Sequence, residues 1–332
     1  MRAYVLKKPN NPLQLRDLSP PNPGPSEVRV QTTAVAIHPV DVETSTGKNG
    51  MLLPQRRPFV PGVDFVGRVT AVGSAVADLS VGARVFGYRG LADMGAFAEQ
   101  ACVSRDVVAA VPATLTDVEA ATLPLPALCT LQALDATAGE GRKRVLVHGG
   151  AGGVGSVAVQ LLAGLGHEVA ATANGRDAAW VQALGAHEVI DYTTTRFEER
   201  VQQVDLVLDT VGGDTLSRSF SVVADGGTVA SLAAMPTAAA LREAGLRVPG
   251  PMALLLPVLG WSLRRRSRAA GVVFIPQVTV PSGERLRRAA RVVKAHGLSP
   301  RIAQTFPFEA LNDAITMASQ GTARGRVVVT TD

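Results

Sequence analysis

The stretch RVLVHGGAGGVGSVAVQLL, residues 144–162, decides the fold of this chain. It has the pattern of a short strand, a glycine-rich turn and a helix whose apolar residues recur with a period of 3.6. In such a turn the first glycine permits a tight bend, the second lets a pyrophosphate approach the backbone, and the third lets helix and strand pack closely. We therefore expect a dinucleotide site at this helix N-terminus, where free N–H groups attract phosphates. The expected phosphate-binding residues, three of which fit the spacing G-x-G-x-x-G, are Gly150, Gly152, Gly153, Val154 and Gly155.

Strands and helices alternate on the C-terminal side of this loop. This alternation predicts a parallel sheet with helices on both faces. The expected strands are 144–148, 167–172, 188–191, 205–210, 228–232 and 271–275, with helices from about 153, at 176–184, near 196–203 and near 214–224. A basic amphipathic helix at 283–296, a short helix at 308–319 and a closing strand at 326–331 follow.

The chain before the loop has a different pattern. Valine-rich runs at 27–37, 65–73 and 83–88 are separated by Pro-Gly, Gly-Ser and Val-Gly turns. Such short strands at close spacing predict a barrel or sandwich. The alanine- and leucine-rich segment 116–137 is expected to be helical apart from its prolines.

Composition excludes several classes of protein. With 332 residues and 46% apolar residues, the chain can form the cores of two domains, and disorder is excluded as its main state. Two cysteines form neither a disulfide framework nor a four-cysteine zinc site. The net charge of +5 comes without aromatic platforms or a reader motif, so no nucleic-acid partner is expected. The first residues lack the apolar segment of a signal peptide, and we expect a cytoplasmic protein.

One apolar stretch, residues 248–263, precedes a run of arginines at 264–268. It is shorter than the roughly 20 residues that cross a bilayer, and prolines interrupt it. We expect a buried or interface helix here and no membrane span. The arginines keep peripheral membrane contact open as the alternative.

The end of the second strand of the predicted parallel sheet indicates which dinucleotide binds. Sites for NAD usually place Asp or Glu there, about 20 residues after the glycines, to hold the ribose 2′-OH. Here the sequence is Thr172-Ala-Asn174-Gly-Arg176, without an acid. Thr172 and Asn174 offer hydrogen bonds, and Arg176 offers a charged fork for a 2′-phosphate. We therefore expect NADP(H), with a solvated Arg176 as the alternative.

Over essentially its whole length the chain resembles the zinc-independent medium-chain dehydrogenases/reductases, the quinone oxidoreductase (zeta-crystallin-like) family. The resemblance implies a GroES-like β-barrel catalytic domain at 1–121 and 283–332, and a Rossmann NADP-binding domain at 122–282. The motifs that carry it are PGVDFVGRVTAVG (61–73), VGARVFGY (81–88), GAFAEQACV (95–103), ATLPLPALCTLQAL (121–134), the loop at 144–162, LGAHEVIDY (184–192), DLVLDTVGG (205–213) and GRVVV (325–329).

The zinc ligands of related enzymes have no counterpart here. The first ligand position is His38, valine replaces the histidine of the second motif at Val63, and the third falls near Leu125. A catalytic zinc needs three protein ligands and an open position. We therefore expect no metal, and acceptors electrophilic enough for direct hydride attack.

By the same resemblance we expect the catalytic residues to be His38, Asp41 and Tyr88. His38 stands where relatives commonly have asparagine in N-x-x-D, and it would either donate a proton or only replace the hydrogen bonds of that asparagine. Tyr88 faces the reaction site or belongs to the core. Related enoyl reductases often carry a tyrosine at the position of Asn49, which weakens a tyrosine-dependent mechanism. Further cofactor contacts expected by position are Cys129, Tyr192, Ser231, Leu232, Phe274, Ile275 and Arg324.

These expectations combine into an NADPH-dependent, zinc-free oxidoreductase that transfers hydride to a quinone or another conjugated carbonyl compound. The first alternative is an enoyl or enone reductase of a biosynthetic pathway. The second is an NADPH-binding regulator with little turnover. The expected partners are the small-molecule acceptor and a second copy of the chain, in a homodimer.

Overall fold

The structure, a computed structural model, describes residues 1–48 and 58–331. The chain divides into two compact units. The first comprises Met1–Leu125 and Pro281–Asp332, and the second comprises Pro126–Val280. The division into catalytic and cofactor-binding domains at 1–121, 122–282 and 283–332 stays a prediction.

Strands occur in both units, and each is named here by its order in the chain. They are β1 (Arg2–Val5), β2 (Gln14–Asp17), β3 (Glu27–Ala36), β4 (Asp64–Val72), β5 (Arg84–Tyr88), β6 (Gln100–Ser104), β7 (Val108–Ala110), β8 (Arg144–Val147), β9 (Glu168–Ala173), β10 (Glu188–Asp191), β11 (Val204–Asp209), β12 (Val223–Ser231), β13 (Val273–Pro276), β14 (Ile302–Pro307) and β15 (Arg326–Thr330).

The helices are named in the same way. They are α1 (Pro39–Thr46), α2 (Asp117–Ala121), α3 (Pro124–Asp135), α4 (Gly155–Gly164), α5 (Ala178–Ala183), α6 (Gly213–Ser219), α7 (Ala238–Glu243), α8 (Gly250–Leu259), α9 (Trp261–Ala269), α10 (Gly283–His296) and α11 (Leu311–Ser319).

The first unit is built on a sheet in the order β14-β15-β3-β4-β5-β7, with β6 also paired to β3. Alternate residues of β3 are fully buried over most of its length, as expected for a strand with one face on a core. Strand β15 joins β3 in antiparallel register, with Val329 opposite Val35. In β4 and β5, Asp64 lies opposite Tyr88. The sheet thus brings residues from both ends of the sequence into one core.

The second unit has a parallel sheet in the order β10-β9-β8-β11-β12-β13. Counted within this unit, the order is 3-2-1-4-5-6, the order of dinucleotide-binding folds. Its central strands are almost continuously buried, because helices cover both faces of such a sheet. The expected doubly wound α/β sheet is confirmed.

Some expected helix and strand limits in this unit are wrong. The helix expected near 196–203 is a single 3₁₀ turn, Phe197–Glu199, and Gln203 has a positive φ of 56° that no helix continues through. Helix α6 ends at Ser219 instead of 224 because β12 begins at Val223.

The apolar stretch 248–263 forms helix α8 and the start of α9, which meet at Gly260. We expected a buried or interface helix, yet many of its apolar side chains are exposed. Across residues 1–48 and 58–331, none of the helices combines the length and the apolar character needed to cross a bilayer. The cytoplasmic location stays a prediction.

Candidate functional site

The glycine loop between β8 and α4 contains a tight turn. The N–H of Gly152 donates to the carbonyl of Gly149 at 2.8 Å, which closes a turn with Gly150 at its second position. The residue in the left-handed region is Gly149, with φ of 74°, one position before the motif. Gly150 is also required for packing. A Cβ on it would lie 2.8 Å from the Cβ of Ala171 on β9, where the loop packs against the sheet.

The last glycine of the motif allows helix α4 to start against the loop. A Cβ on Gly155 would lie 2.1 Å from the carbonyl oxygen of Gly149, a contact that only glycine avoids. Gly152 is less crowded, since its Cβ would lie 3.1 Å from the same oxygen. The N–H of Ser156 donates to the carbonyl of Gly152, so the helix ladder begins inside the motif. Gly153 and Val154 form the turn that leads into the helix.

A buried histidine anchors this loop, and sequence reasoning missed it. The Oγ of Ser219 donates to a backbone carbonyl, so it accepts a hydrogen bond from Nε2 of His148 at 3.0 Å. The Nδ1 of His148 is then an acceptor for the hydroxyl of Thr172 at 3.1 Å. The same Thr172 oxygen accepts the N–H of Gly149 at 3.2 Å. Burial lowers the pKa of His148 to about 4, which keeps the imidazole neutral.

The predicted cofactor residue Thr172 therefore uses its hydroxyl to fix the left-handed turn. Beside it lies a cavity of about 630 Å³. The lining residues all belong to the second unit and include Gly149, Thr172, Tyr192, Thr193, Arg196 and Arg218. The exposed ring of Tyr192 lies at this cavity, and two of the other lining side chains are cations.

The end of β9 carries no carboxylate of its own, as its sequence Thr-Ala-Asn indicates, but the Asp191 carboxylate of β10 lies beside Gly175. Asn174 caps a 3₁₀ turn, its Oδ1 accepting the N–H of Arg176 at 3.2 Å. The Arg176 side chain is 66% exposed, and its Nε lies 3.6 Å from Asp177. Neither Asn174 nor Arg176 lines the cavity, whereas Arg196 does. Arg196 is a candidate that sequence reasoning missed, although it follows the strand next to β9 in the sheet.

Residues expected at the nicotinamide lie on the last two strands and on α3. Ser231 ends β12 and donates from Oγ to Oδ2 of Asp209 at 2.6 Å, and Leu232 follows it. On β13, the partly buried Phe274 packs edge-on against Phe220 of the core at 5.4 Å between ring centres. The next residue, Ile275, lies opposite Ala230 of β12.

The predicted contact Cys129 is a buried thiol of α3. Its Sγ lies 3.0 Å from the Oγ1 of Thr279. A Gln277 side-chain N–H donates to the Cys129 carbonyl at 2.9 Å. This packing agrees with a structural role for Cys129. The contact of Cys129 with the cofactor stays a prediction.

In the first unit, four charged or titratable side chains form a buried group, called here the His38 cluster: His38, Asp41, Asp64 and Arg326. His38 precedes helix α1, and its backbone N–H donates to Oδ2 of Asp41 at 2.9 Å. Its ring contacts Asp64 at 2.7 Å and Arg326 at 3.1 Å. The cluster joins α1, β4 and β15.

The contacts of His38 determine its tautomer. Because arginine has only donors, the Nη1 of Arg326 donates to Nδ1, and Nε2–H donates to Asp64. Burial lowers the pKa of His38 against the opposing effect of Asp64, so the ring is neutral. With both nitrogens engaged and no exposure, this geometry supports the hydrogen-bonding alternative for His38 over proton donation.

The other first-unit candidates occupy different settings. Tyr88 ends β5 and is buried, while Arg324 is exposed before β15. Asn49 lies outside the described residues. At the two other zinc-ligand positions, Val63 is fully buried and the Leu125 N–H donates to Asp64 at 3.0 Å.

Asp41 is expected to make stability depend on pH. Burial raises its pKa from 3.8 to about 8, with Asp64 adding to the rise and Arg326 opposing it. The folded chain therefore keeps this proton while the unfolded chain loses it above about pH 4, so its contribution to stability falls as pH rises from 4 to 8. Asp41→Asn keeps an oxygen for the N–H of His38 and does not titrate.

We expect Asp41→Asn to stabilise the protein at pH 8 by at least about 2 kcal/mol, with the difference vanishing near pH 4. Urea unfolding of both proteins from pH 4 to 9 measures it. A difference that stays constant across this range would show that Asp41 does not titrate as inferred.

Comparison with known proteins places these features among reductases. The model of the alcohol dehydrogenase GroES-like domain matches residues 24–113, and that of a zinc-binding dehydrogenase matches residues 184–329. A quinone-oxidoreductase homolog of chloroplasts from Spinacia oleracea is 29% identical, over 94% of this chain and 92% of the relative. The 2-methylene-furan-3-one reductase of Solanum lycopersicum is 30% identical, over 91% and 71%. The quinone oxidoreductase from Coxiella burnetii has a TM-score of 0.79 at 27% identity, over 100% and 99%.

Proposed function

The chain belongs to the medium-chain dehydrogenase/reductase family, among its quinone oxidoreductase-like members, and from this premise we propose an NADPH-dependent, zinc-free reductase of quinones or other conjugated carbonyl compounds. As a member of this family the chain is an oxidoreductase that uses a nicotinamide cofactor on quinone or enone substrates. The observation that carries the proposal is the glycine loop at 149–155 beside the cavity of the second unit.

The residues of this loop fit a dinucleotide. Gly152 leaves the backbone open where a larger residue would stand between the loop and a pyrophosphate. Gly155 lets the N-terminus of α4 start against the loop, where its partial positive charge stabilises phosphate. The neutral His148 holds this arrangement through Thr172. When bound, the nicotinamide supplies the hydride, and the chain supplies binding and orientation.

The preference for NADPH is supported by charge. An acid on β9 itself would repel a 2′-phosphate, and Asn174 stands there instead. The Asp191 carboxylate of β10 lies beside Gly175, and it accepts hydrogen bonds from the N–H and the hydroxyl of Thr193. Two arginines follow neighbouring strands of the sheet: Arg176 comes after β9 and Arg196 comes after β10. A guanidinium matches the geometry of phosphate oxygens.

We expect Arg176→Ala to weaken NADPH about tenfold while NADH changes by less than about twofold, because only NADPH carries the 2′-phosphate. Arg196→Ala is compared in the same fluorescence titration, and Arg200→Ala, an arginine paired with Glu188, is the control. A larger NADPH-specific loss in Arg196→Ala would move the assignment to that residue. Equal loss of both cofactors in both variants would contradict a 2′-phosphate site at either arginine.

The proposal that no zinc takes part is supported by side-chain chemistry. Although one matched family model is that of a zinc-binding dehydrogenase, the residues here do not fit the metal. Val63 and Leu125 have no ligand atoms in their side chains, and His38 already uses both nitrogens. Among residues 1–48 and 58–331, no group of three or more His, Cys, Asp or Glu side chains could hold a metal ion. We derive no step through zinc.

Without a Lewis acid, the acceptor itself must be electrophilic at the atom that receives hydride. Quinones and conjugated carbonyls meet this condition, since the incoming electron pair ends on a delocalised oxygen. We assign protonation of that oxygen to water, because neither nitrogen of His38 has a free position. Tyr88 and Asp41 of the first unit stay predicted catalytic residues.

The test follows NADPH absorbance with purified protein against ortho- and para-quinones, enones and enoyl thioesters, with NADH as the cofactor control. Fast oxidation with quinones supports the proposal. Turnover confined to enones or thioesters favours the alkene reductase, the alternative to which the similarity with 2-methylene-furan-3-one reductase points. Cofactor binding without turnover on any acceptor would overturn both and favour a regulator.

We also propose a homodimer. Strand β13 is an edge of the parallel sheet, and Val273 at its start is about half exposed. An exposed edge strand is a template for pairing with a second chain. Sedimentation equilibrium decides this: a mass of one chain at micromolar concentration would contradict the dimer.

A further inference from the structure

Helices α8 and α9, called here the helix pair, carry an apolar surface that the rest of the second unit does not cover. Leu254 is 79% exposed and Val258 is 69% exposed, one turn apart on α8. Trp261, 58% exposed, continues the patch at the start of α9. Buried Leu256 attaches α8 to the unit from the opposite side. The exposed apolar residues of the helix pair are Leu254, Leu255, Val258, Leu259 and Trp261.

The sequence segment that contains the helix pair carries charge of a single sign. Between Glu243 and Glu284 the sequence has no acidic residue, while it has five arginines: Arg247, Arg264, Arg265, Arg266 and Arg268. The whole chain has 33 basic and 28 acidic residues. The excess of positive charge in this segment therefore equals that of the entire chain. Outside the segment, basic and acidic residues are equal in number.

The arginines of α9 are available to a partner. Within residues 1–48 and 58–331, no ion pair is found for Arg264, Arg265, Arg266 or Arg268. Arg264 donates to the carbonyl of Pro257, which ties the first turn of α9 to α8. Arg265 lies 5.3 Å from the ring centre of Trp261. An indole beside cations at the border of an apolar patch is the arrangement found where proteins meet lipid headgroups.

We propose that the helix pair binds the surface of an anionic lipid bilayer, with the apolar side chains of α8 among the lipid headgroups and upper acyl chains and the arginines of α9 on the phosphates. An apolar short helix with exposed leucines, followed directly by a short helix rich in arginine, has the composition of segments that lie in the interface plane. The helix pair does not cross the membrane.

A second copy of the chain fits the same patch less well. A two-fold contact would place the helix pair against itself, which brings two arginine clusters of equal sign together. Like charges opposed across an interface are strongly unfavourable. Lipid phosphates, in contrast, neutralise the arginines while the acyl region takes up the leucines. This inference does not depend on the proposed reductase activity.

The first test is flotation of the full chain with vesicles of phosphatidylcholine alone and of phosphatidylcholine with 30 mol% phosphatidylglycerol. We expect flotation with the anionic vesicles in 0.1 M salt and its loss in 0.5 M salt, because surface charges are screened. Trp261 also reports insertion directly, since its emission should shift to the blue with anionic vesicles and the shift should disappear in Trp261→Phe.

Three variants separate the contributions. Leu254→Asp with Val258→Asp should lower the partition coefficient at least tenfold, and both positions are exposed, so the fold tolerates the change. Replacing Arg265, Arg266 and Arg268 by glutamine should lower it about 100-fold, at about fivefold for each arginine. Replacing Arg287, Arg291 and Lys294 of α10 by glutamine removes the same charge elsewhere and should change it less than about threefold.

Three results would overturn the proposal. No flotation with anionic vesicles at low salt would refute it directly. An equal loss in the α9 and α10 charge variants would show attraction by net charge alone. The patch would be identified as a subunit contact if the unchanged protein does not bind vesicles and the variant Leu254→Asp with Val258→Asp changes from dimer to monomer.

Discussion

Gly155→Ala is expected to destroy dinucleotide binding and to destabilise the second unit. The added Cβ would lie 2.1 Å from the carbonyl oxygen of Gly149 and 3.0 Å from the Cα of Gly150. Both atoms are backbone, so the loop must move as a whole. We expect a loss of about 3 kcal/mol in unfolding free energy from this overpacking. The affinity for NADPH should fall more than about 100-fold, because the displaced loop no longer directs the helix N-terminus at the pyrophosphate.

Gly152→Ala and Gly250→Ala make the comparison informative. In Gly152→Ala the Gly149 carbonyl needs to shift by only a few tenths of an ångström, so this variant should keep its stability and lose affinity for NADPH. Gly250 has no neighbour within 4 Å of a Cβ, and its variant should change neither property. Thermal unfolding and fluorescence titration of NADPH measure both. A Gly155→Ala protein with unchanged melting temperature and affinity would show that the loop closes differently from the arrangement described.

Arg326→Met is expected to be the most destabilising single change in the first unit. It removes the donor to Nδ1 of His38, whose Nε2–H donates to Asp64, in a group of side chains that are all buried. Removing one member of a buried network of charged groups leaves its partners desolvated and typically costs about 3–5 kcal/mol. For a unit of this size that corresponds to a fall in melting temperature of about 10 °C.

The control for this prediction is Arg68→Met, an exposed arginine of β4 in the same sheet, which should shift the melting temperature by less than about 2 °C. Asp64→Asn should approach the effect of Arg326→Met, since it removes the carboxylate at the other end of the same hydrogen-bonded chain through His38. Arg326→Met and Arg68→Met with equal melting temperatures would show that this buried chain does not stabilise the first unit.

Local signals account for the elements that sequence reasoning placed correctly. Helix α10 begins after Ser282, whose hydroxyl accepts the N–H of Arg285, and ends before Gly297, which has a positive φ. Both ends are visible in the sequence as an N-cap residue and a terminal glycine. The glycine loop was predictable for the same reason, since its function depends on spacing within seven residues.

Contacts between distant residues were not predictable in this way. His148 meets Thr172 and Ser219, which lie 24 and 71 positions away, and no pattern in one sequence marks such a pair. The Phe197 ring packs edge-on against His148, a contact that is equally invisible in the sequence. In the helix pair, apolar composition accompanies exposure, so of the two predicted outcomes, a buried or an interface helix, burial does not describe most of its apolar residues.

The position of β15 has a consequence for how the protein is made. Strand β15 pairs with β3 and carries Arg326 into contact with His38, 288 residues earlier in the chain. On a ribosome that adds about 5–20 residues per second, the first unit must wait roughly 15–60 s for its closing strand. During that interval the inserted parallel-sheet unit can fold, while Ala34, Val35 and Ala36 of β3 lack the strand that pairs with them, since β6 pairs only with residues 27–31. The order of synthesis therefore allows the second unit, which is continuous in the chain, to complete its fold before the first.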